Sequence, residues 1–558
     1  MGTVKMKTVM AEPRNSLARH SLISAVAFVV TIAVAFSGNT RSAQAGTEPT
    51  GPVSWAEARA LAKTIDAELS SRWRAEKVIP AAPASDAEFL RRVYLDLAGR
   101  IPSVAETRDF LEEPSPDRRE HLVDRLLDGP AFTNHFARTW RTTLMPEADS
   151  NFQVRYVAST VEGWFRKQFR QGRGYDEITR ELLTTPVTQN GQPLNPYDRR
   201  STTPVAFFVA KEGKAENLAA TTARTFLGVR LECAQCHDHP FAHWKREQFW
   251  QLASFFAGIE RQQKDADFSP LTDNAAKHEL RIPDTEQDVS ATFLDGSVPN
   301  WTAEATARGK LAEWVTAREN TYFSRALANR MWAHFFGIGI VDPVDDLDES
   351  NPASHPALLE ILGERFASHE FRIEYLIRAI TSSRAYQLSS SVSEESQRDP
   401  HRFAVMPVRG LSPDQLFDSL AVAVGYRDQN LANGQEAFAN GTPRSTFLEM
   451  FANQRDRTIE YDTSIIQAMA IMNGDFVADA TSVKRSAMLG AISQFPAFDL
   501  PQRLETMYLA TVQRPPTTEE LARLEKYLAD GGARKNADEA LGDIFWALLN
   551  SSEFLFNH

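Results

Sequence analysis

Apolar residues recur at helical spacing along most of the chain. Phe89, Leu90, Val93, Tyr94 and Leu97 fall on one face of a 3.6-residue period, with Arg91, Arg92 and Asp96 between them. Leu521, Leu524 and Leu528 repeat the spacing far downstream. Start signals precede many such runs. Ser54-x-x-Glu57, Ser85-x-x-Glu88, Ser103-x-x-Glu106 and Thr517-x-x-Glu520 read as capping boxes, in which each side chain satisfies a free N–H of the first turn. Ser412-Pro413-x-Gln415 adds a proline at the first helical position, and Gly531 can close the helix that Thr517 opens. Period-2 alternation is scarce; residues 280–294 show it weakly and predict a small hairpin. The pattern predicts a mainly α fold: two helical domains with at most a small β-hairpin between them.

Punctuation places the boundaries. Residues 263–300 are polar and carry Pro270, Pro283, Gly296 and Pro299, so they read as a linker between a domain at 50–262 and a second at 301–558. A lesser break falls at 389–400. At 558 residues the chain is too long for one ordinary core, and its 42% hydrophobic and 24% charged content is that of a folded protein.

Residues 1–45 read as an export signal. Lys5, Lys7, Arg14 and Arg19 form a positive segment, residues 22–36 are uncharged and apolar, and Ala43-Gln44-Ala45 supplies a cleavage site. Export to the periplasm or cell envelope is therefore expected. The alternative is an uncleaved membrane anchor, the one membrane attachment this sequence suggests. Cleavage after Ala45 removes five basic residues and one acid, taking the net charge from −12 to −16. A body that acidic offers no footprint for nucleic acid.

The chemistry concentrates at the only two cysteines, Cys233-Ala234-Gln235-Cys236-His237. C-x-x-C-H is the attachment sequence of c-type haem: the thiols add to the vinyl groups, and the adjacent imidazole becomes the proximal ligand. Cys233, Cys236 and His237 are thus the candidate cofactor-binding residues, with His237 on the iron. Attachment takes place outside the cytoplasm, in agreement with the export signal. Two alternatives stay open. Cys233 and Cys236 suit a redox disulfide, and Cys233, Cys236, His239 and His243 are a candidate set for zinc or another metal, although structural zinc usually draws its second ligand pair from a separate turn. A six-coordinate haem needs a distal ligand, for which His135, Met331 and His334 are the candidates. The acidic run Asp342, Asp345, Asp346, Asp348, Glu349 lacks the spacing and glycine of a calcium loop, and reads as a solvated loop capping a helix near Ser354. No phosphate loop, nucleophile elbow or H-E-x-x-H pair occurs, so no catalytic residue can be named.

The residues around the motif, Leu231-Glu-Cys-Ala-Gln-Cys-His-Asp-His-Pro-Phe241 with Trp244 and Phe249, closely resemble the planctomycete-specific cytochrome-like domain of the second type. So do Phe89-Leu-Arg-Arg-Val-Tyr-Leu-Asp-Leu-Ala-Gly-Arg-Ile-Pro102 and Leu122-Val-Asp-Arg-Leu-Leu127. The second half is similar to that domain's usual companion, a planctomycete-specific domain of unknown function. It carries Asn329-Arg-Met-Trp-Ala-His-Phe-Phe-Gly337, Val341-Asp-Pro-Val-Asp-Asp346, Asn351-Pro352, Ser354-His-Pro356, Met472-Asn-Gly474 and Leu548-Leu-Asn-Ser-Ser-Glu-Phe-Leu-Phe-Asn557. The resemblance implies a cytochrome-like redox role with one haem, electron transfer in the envelope and a redox partner protein there. Asp238-His239-Pro240-Phe241 is unusual beside small cytochromes, which keeps a non-haem metal protein or a structural scaffold as alternatives.

Overall fold

The computed structural model describes residues 53–149, 151–198, 203–263, 269–426, 442–451 and 474–558. The export segment and most of Met472-Asn-Gly474 lie outside them. The fold is mainly α, with small two-stranded antiparallel sheets. None of the described helices is long and apolar enough to cross a membrane.

Helix starts follow the local chemistry closely. Ser103, Ser412 and Thr517 form full reciprocal capping boxes with Glu106, Gln415 and Glu520. Two of the expected boxes are only half made. Ser85 accepts from Glu88 N, but the Glu88 carboxylate turns away to Arg92 Nη2 and to Ser390 N at 2.7 Å. Ser54 accepts from Ala56 N, and Glu57 does not complete the box. In the first case a buried guanidinium and a distant backbone N–H outcompete the local partner.

The predicted hairpin forms between Glu279–Arg281 and Asp288–Ser290, with Leu280 opposite Val289. A second pairs Ile259–Arg261 with Leu271–Asp273. Ile282, Val289, Ala291 and Leu294 enter a hydrophobic cluster that runs from Ala58 to Met406. A second cluster gathers Leu95 and Ile101 with residues from Leu411 to Phe554. The helix Asp86–Ala98 serves both: Phe89, Leu90, Val93, Tyr94 and Leu97 face the first, Leu95 the second.

That double duty corrects the amphipathic reading of this helix. Arg91, Arg92 and Asp96 are buried, not solvated. Arg91 donates to Gln513 Oε1 at 2.6 Å and to the carbonyls of Phe554 at 2.5 Å and Phe556 at 3.2 Å. Arg92 donates to the Tyr386 carbonyl and, at 3.3 Å, to that of His558. The polar face of the helix is the seam onto which the downstream chain closes, and Phe556–Asn557 pairs there with Arg409–Gly410.

The acidic run also departs from expectation. Asp345 is ion-paired to the buried Arg330, and Leu347 N donates to Gly228 O at 2.8 Å. The helix Pro356–Ser368 starts after His355 with no side-chain cap. The loop is therefore pinned to the interior by Arg330, and its carboxylates cap nothing at Ser354.

Candidate functional site: an exposed C-x-x-C-H loop braced by one helix

The motif follows the helix Ala215–Thr222 and the turn Ala223–Leu227, which ends at Gly228. Leu231 and Ala234 insert into the core and are fully buried. A short 3-10 turn, Glu232–Gln235, then carries the thiols outward. Alternation of a buried alanine with exposed neighbours is what a one-turn helix does when a single apolar residue anchors it. Cys233 and Cys236 are both free and exposed, as is His237.

His237 Nδ1 lies 2.7 Å from its neighbour's carbonyl, Asp238 O. A carbonyl only accepts, so Nδ1 carries the proton, and in the neutral ring the lone pair is then on Nε2. This is the tautomer an imidazole needs to bind a metal through Nε2, and donation from the other nitrogen raises its basicity. The Asp238 carboxylate accepts from Arg246 N and from Lys245 Nζ, each at 3.0 Å. Those contacts, the Arg246 N–H foremost, hold the carboxyl below its ordinary pKa. Beyond it the chain folds into a tight turn: His239 Nδ1 accepts from Phe241 N at 3.3 Å and Ala242 N at 2.9 Å, and His239 N donates to Trp244 O at 2.8 Å. Trp244 is buried and plugs the turn into the core. Phe241 at its tip is 85% exposed, more than any other large apolar residue among those described.

His239 and Cys236 therefore play different parts. The His239 ring closes a turn with one nitrogen, while His243 is exposed and packs on Trp244 with ring centroids 4.1 Å apart. Among the described residues no group of three or more His, Cys, Asp or Glu is arranged to hold a metal ion, so Cys233, Cys236, His239 and His243 are not gathered into a cage. Two exposed thiols followed by an exposed imidazole do fit a covalently tethered planar group with one axial ligand.

The distal candidates sit elsewhere. Met331 is buried in the large core. His135 and His334 pack on each other, ring centroids 5.9 Å apart, and His334 Nε2 donates to Asp96 O at 2.8 Å. Asp96 is the centre of a buried knot: Arg409 Nη2 and Asn557 Nδ2 donate to its Oδ1, and Tyr386 Oη to its Oδ2, each at 2.8 Å. Burial drives the His135 pKa down to about 3 and lowers that of His334. Both imidazoles are thus held neutral inside, and no hydrogen bond or ring contact joins them to the 233–243 loop.

A cavity of about 190 Å³ opens between Thr184, Asp273, Lys277, Thr306 and Arg308. Its lining includes no residue of the motif. Sequence reasoning gave no bracing role to Asp238, Gln248 or Trp250; the signal available was an acid directly after the motif histidine, before a helix whose own N-cap, Lys245, has no acceptor.

A mainly helical protein presenting C-x-x-C-H on a braced surface loop is the class these features define. Residues 64–261 match the PSCyt2 family, described as a protein of unknown function (DUF1549), and residues 307–459 match PSD1, described as a protein of unknown function (DUF1553). The chain carries these two family domains, in the order its motifs implied. No curated protein and no solved structure matches it.

Proposed function

We propose that this protein is an exported c-type cytochrome-like carrier with one covalently attached haem, passing single electrons to a partner protein in the cell envelope. The observation that carries the reading is the outward presentation of three groups on one short loop: the free thiols of Cys233 and Cys236, and a His237 imidazole whose Nδ1 is engaged while Nε2 is not. Cys233 and Cys236 would form the thioethers and His237 the axial bond. The group supplies reversible one-electron chemistry when bound, and the chain tunes it through ligand basicity, burial and access. The family name matched by residues 64–261, PSCyt2, supports this reading.

The test is spectroscopic. Full-length protein matured in a host with haem-attachment machinery should show α and β bands in its reduced-minus-oxidised spectrum, retained after acid–acetone extraction. Cys236→Ser should lose the covalently retained fraction. Colourless, iron-free wild-type protein from that host would overturn the proposal, and zinc in its place would point to the metal alternative.

A further inference from the structure

We propose that Asp238 is a positioning residue that sets the tautomer, and hence the ligating strength, of His237; the inference rests on the haem reading of the loop and deepens it. The helix Arg246–Ala253 begins after Lys245, a residue with no side-chain acceptor to serve as its cap. The N–H groups at this end are met by one side chain of the helix's own first turn and by one from outside. Gln248 Oε1 takes Lys245 N at 2.9 Å, and Asp238 Oδ1 takes Arg246 N at 3.0 Å from eight residues upstream. Lys245 Nζ holds the second carboxylate oxygen at 3.0 Å. A carboxylate is favoured at this end of a helix by the aligned peptide dipoles.

The same helix reaches the other side of the motif. Trp250 Nε1 donates to Gln235 O at 3.0 Å, and Arg246 Nε to the same oxygen at 3.4 Å. Arg246 is itself held by Pro283 O at 2.7 Å. The backbone is therefore gripped at residue 235 and at residue 238, with Cys236 and His237 between the grips. Held so, the Asp238 carbonyl meets His237 Nδ1 at 2.7 Å. A free imidazole prefers its proton on Nε2, the wrong nitrogen for iron; the fixed carbonyl reverses that preference. Asp238 acts through its backbone oxygen, and its side chain keeps that oxygen in place.

Two substitutions separate this from a merely structural role. Asp238→Asn keeps an acceptor for Arg246 N and loses only the Lys245 pair; Asp238→Ala loses both. In the haem-free full chain at pH 8, ring ¹⁵N shifts should show His237 mainly as the Nδ1–H tautomer in wild type and in Asp238→Asn. Asp238→Ala should move it toward Nε2–H. In haem-loaded protein the reduction potential should rise further in Asp238→Ala than in Asp238→Asn, which loses the same charge, because a less basic imidazole favours the oxidised iron less. A wild-type tautomer in haem-free Asp238→Ala overturns the inference whether or not the protein carries haem. A potential in loaded Asp238→Ala no higher than in loaded Asp238→Asn overturns it as well. If wild type proves iron-free, the haem reading falls alone and the tautomer measurement still decides this one.

Discussion

The loop at 231–246 and the knot around Asp96 are built from the same residue types, and they use them in opposite ways. In the loop, histidine, aspartate and the cysteines stand in water, and a single helix fixes their backbone so that reactive atoms point outward. In the knot, His334, Asp96, Tyr386, Arg409 and Asn557 are turned inward and bond one another, while His135 packs on His334 with its Nε2 buried and unpartnered. An unpaired polar group is costly in low dielectric, so the bonds that Asp96 makes commit the knot to holding the chain together. The exposed loop has no such obligation, which leaves its thiols and imidazole available for a ligand. Histidine content alone does not mark a site; the direction in which the lone pair points does.

The comparison breaks first at Asp96. Asp96→Ala strands a guanidinium, a phenol and an amide in the interior, and should cost about 3–5 kcal/mol in chemical denaturation, the usual penalty for removing one partner of a buried pair. Gly99→Ala should follow with about 1–3 kcal/mol. Gly99 ends the helix Asp86–Ala98 at φ 67°, and an added Cβ would run into the His135 ring.

Acid sharpens the contrast further. His135 is neutral when folded, with a pKa pressed down to about 3, and regains its ordinary value near 6.5 when unfolded. Above pH 6.5 it costs nothing. As pH falls from there toward 3 the unfolded state takes up the proton and stability drains away, at about 1.4 kcal/mol per pH unit. Denaturant midpoints taken between pH 7 and pH 5 should fall accordingly, and His135→Phe should shallow that slope. The smallest effect belongs to the loop: Cys233→Ser and Cys236→Ser should leave the melting temperature of haem-free protein unchanged, because both side chains are exposed and neither fills a core.

Much of this contrast was legible in the residues themselves, and the remainder was not, for a definable reason. Helix starts at Ser103, Ser412 and Thr517, and the hairpin around Leu280 and Val289, follow from chemistry within a few positions along the chain. The C-x-x-C-H loop was equally local, and so was its family. Nothing local marks Arg91, Arg92 and Asp96 as buried, because their partners lie hundreds of residues away: Thr511, Tyr386 and Asn557 carry no mark that pairs them with the helix Asp86–Ala98. His135 and His334 looked like ligand candidates for the same reason, since nothing nearby announces that Asp96 O and a neighbouring imidazole will occupy them. Asp238 was visible, but its use as a cap for a helix eight residues on required the turn at His239 and Trp244 to be seen closed.

The clasp of Arg91 and Arg92 on the far end of the chain has a practical corollary for handling the protein. The acceptors of Arg91 lie 420 to 465 positions further on, so the two ends of the described chain grip each other through side-chain forks as well as through the covalent thread between them. A protease that nicks the polar stretch at 389–400 should leave two fragments that still co-elute under native conditions, and that part only when denaturant loosens the guanidinium contacts.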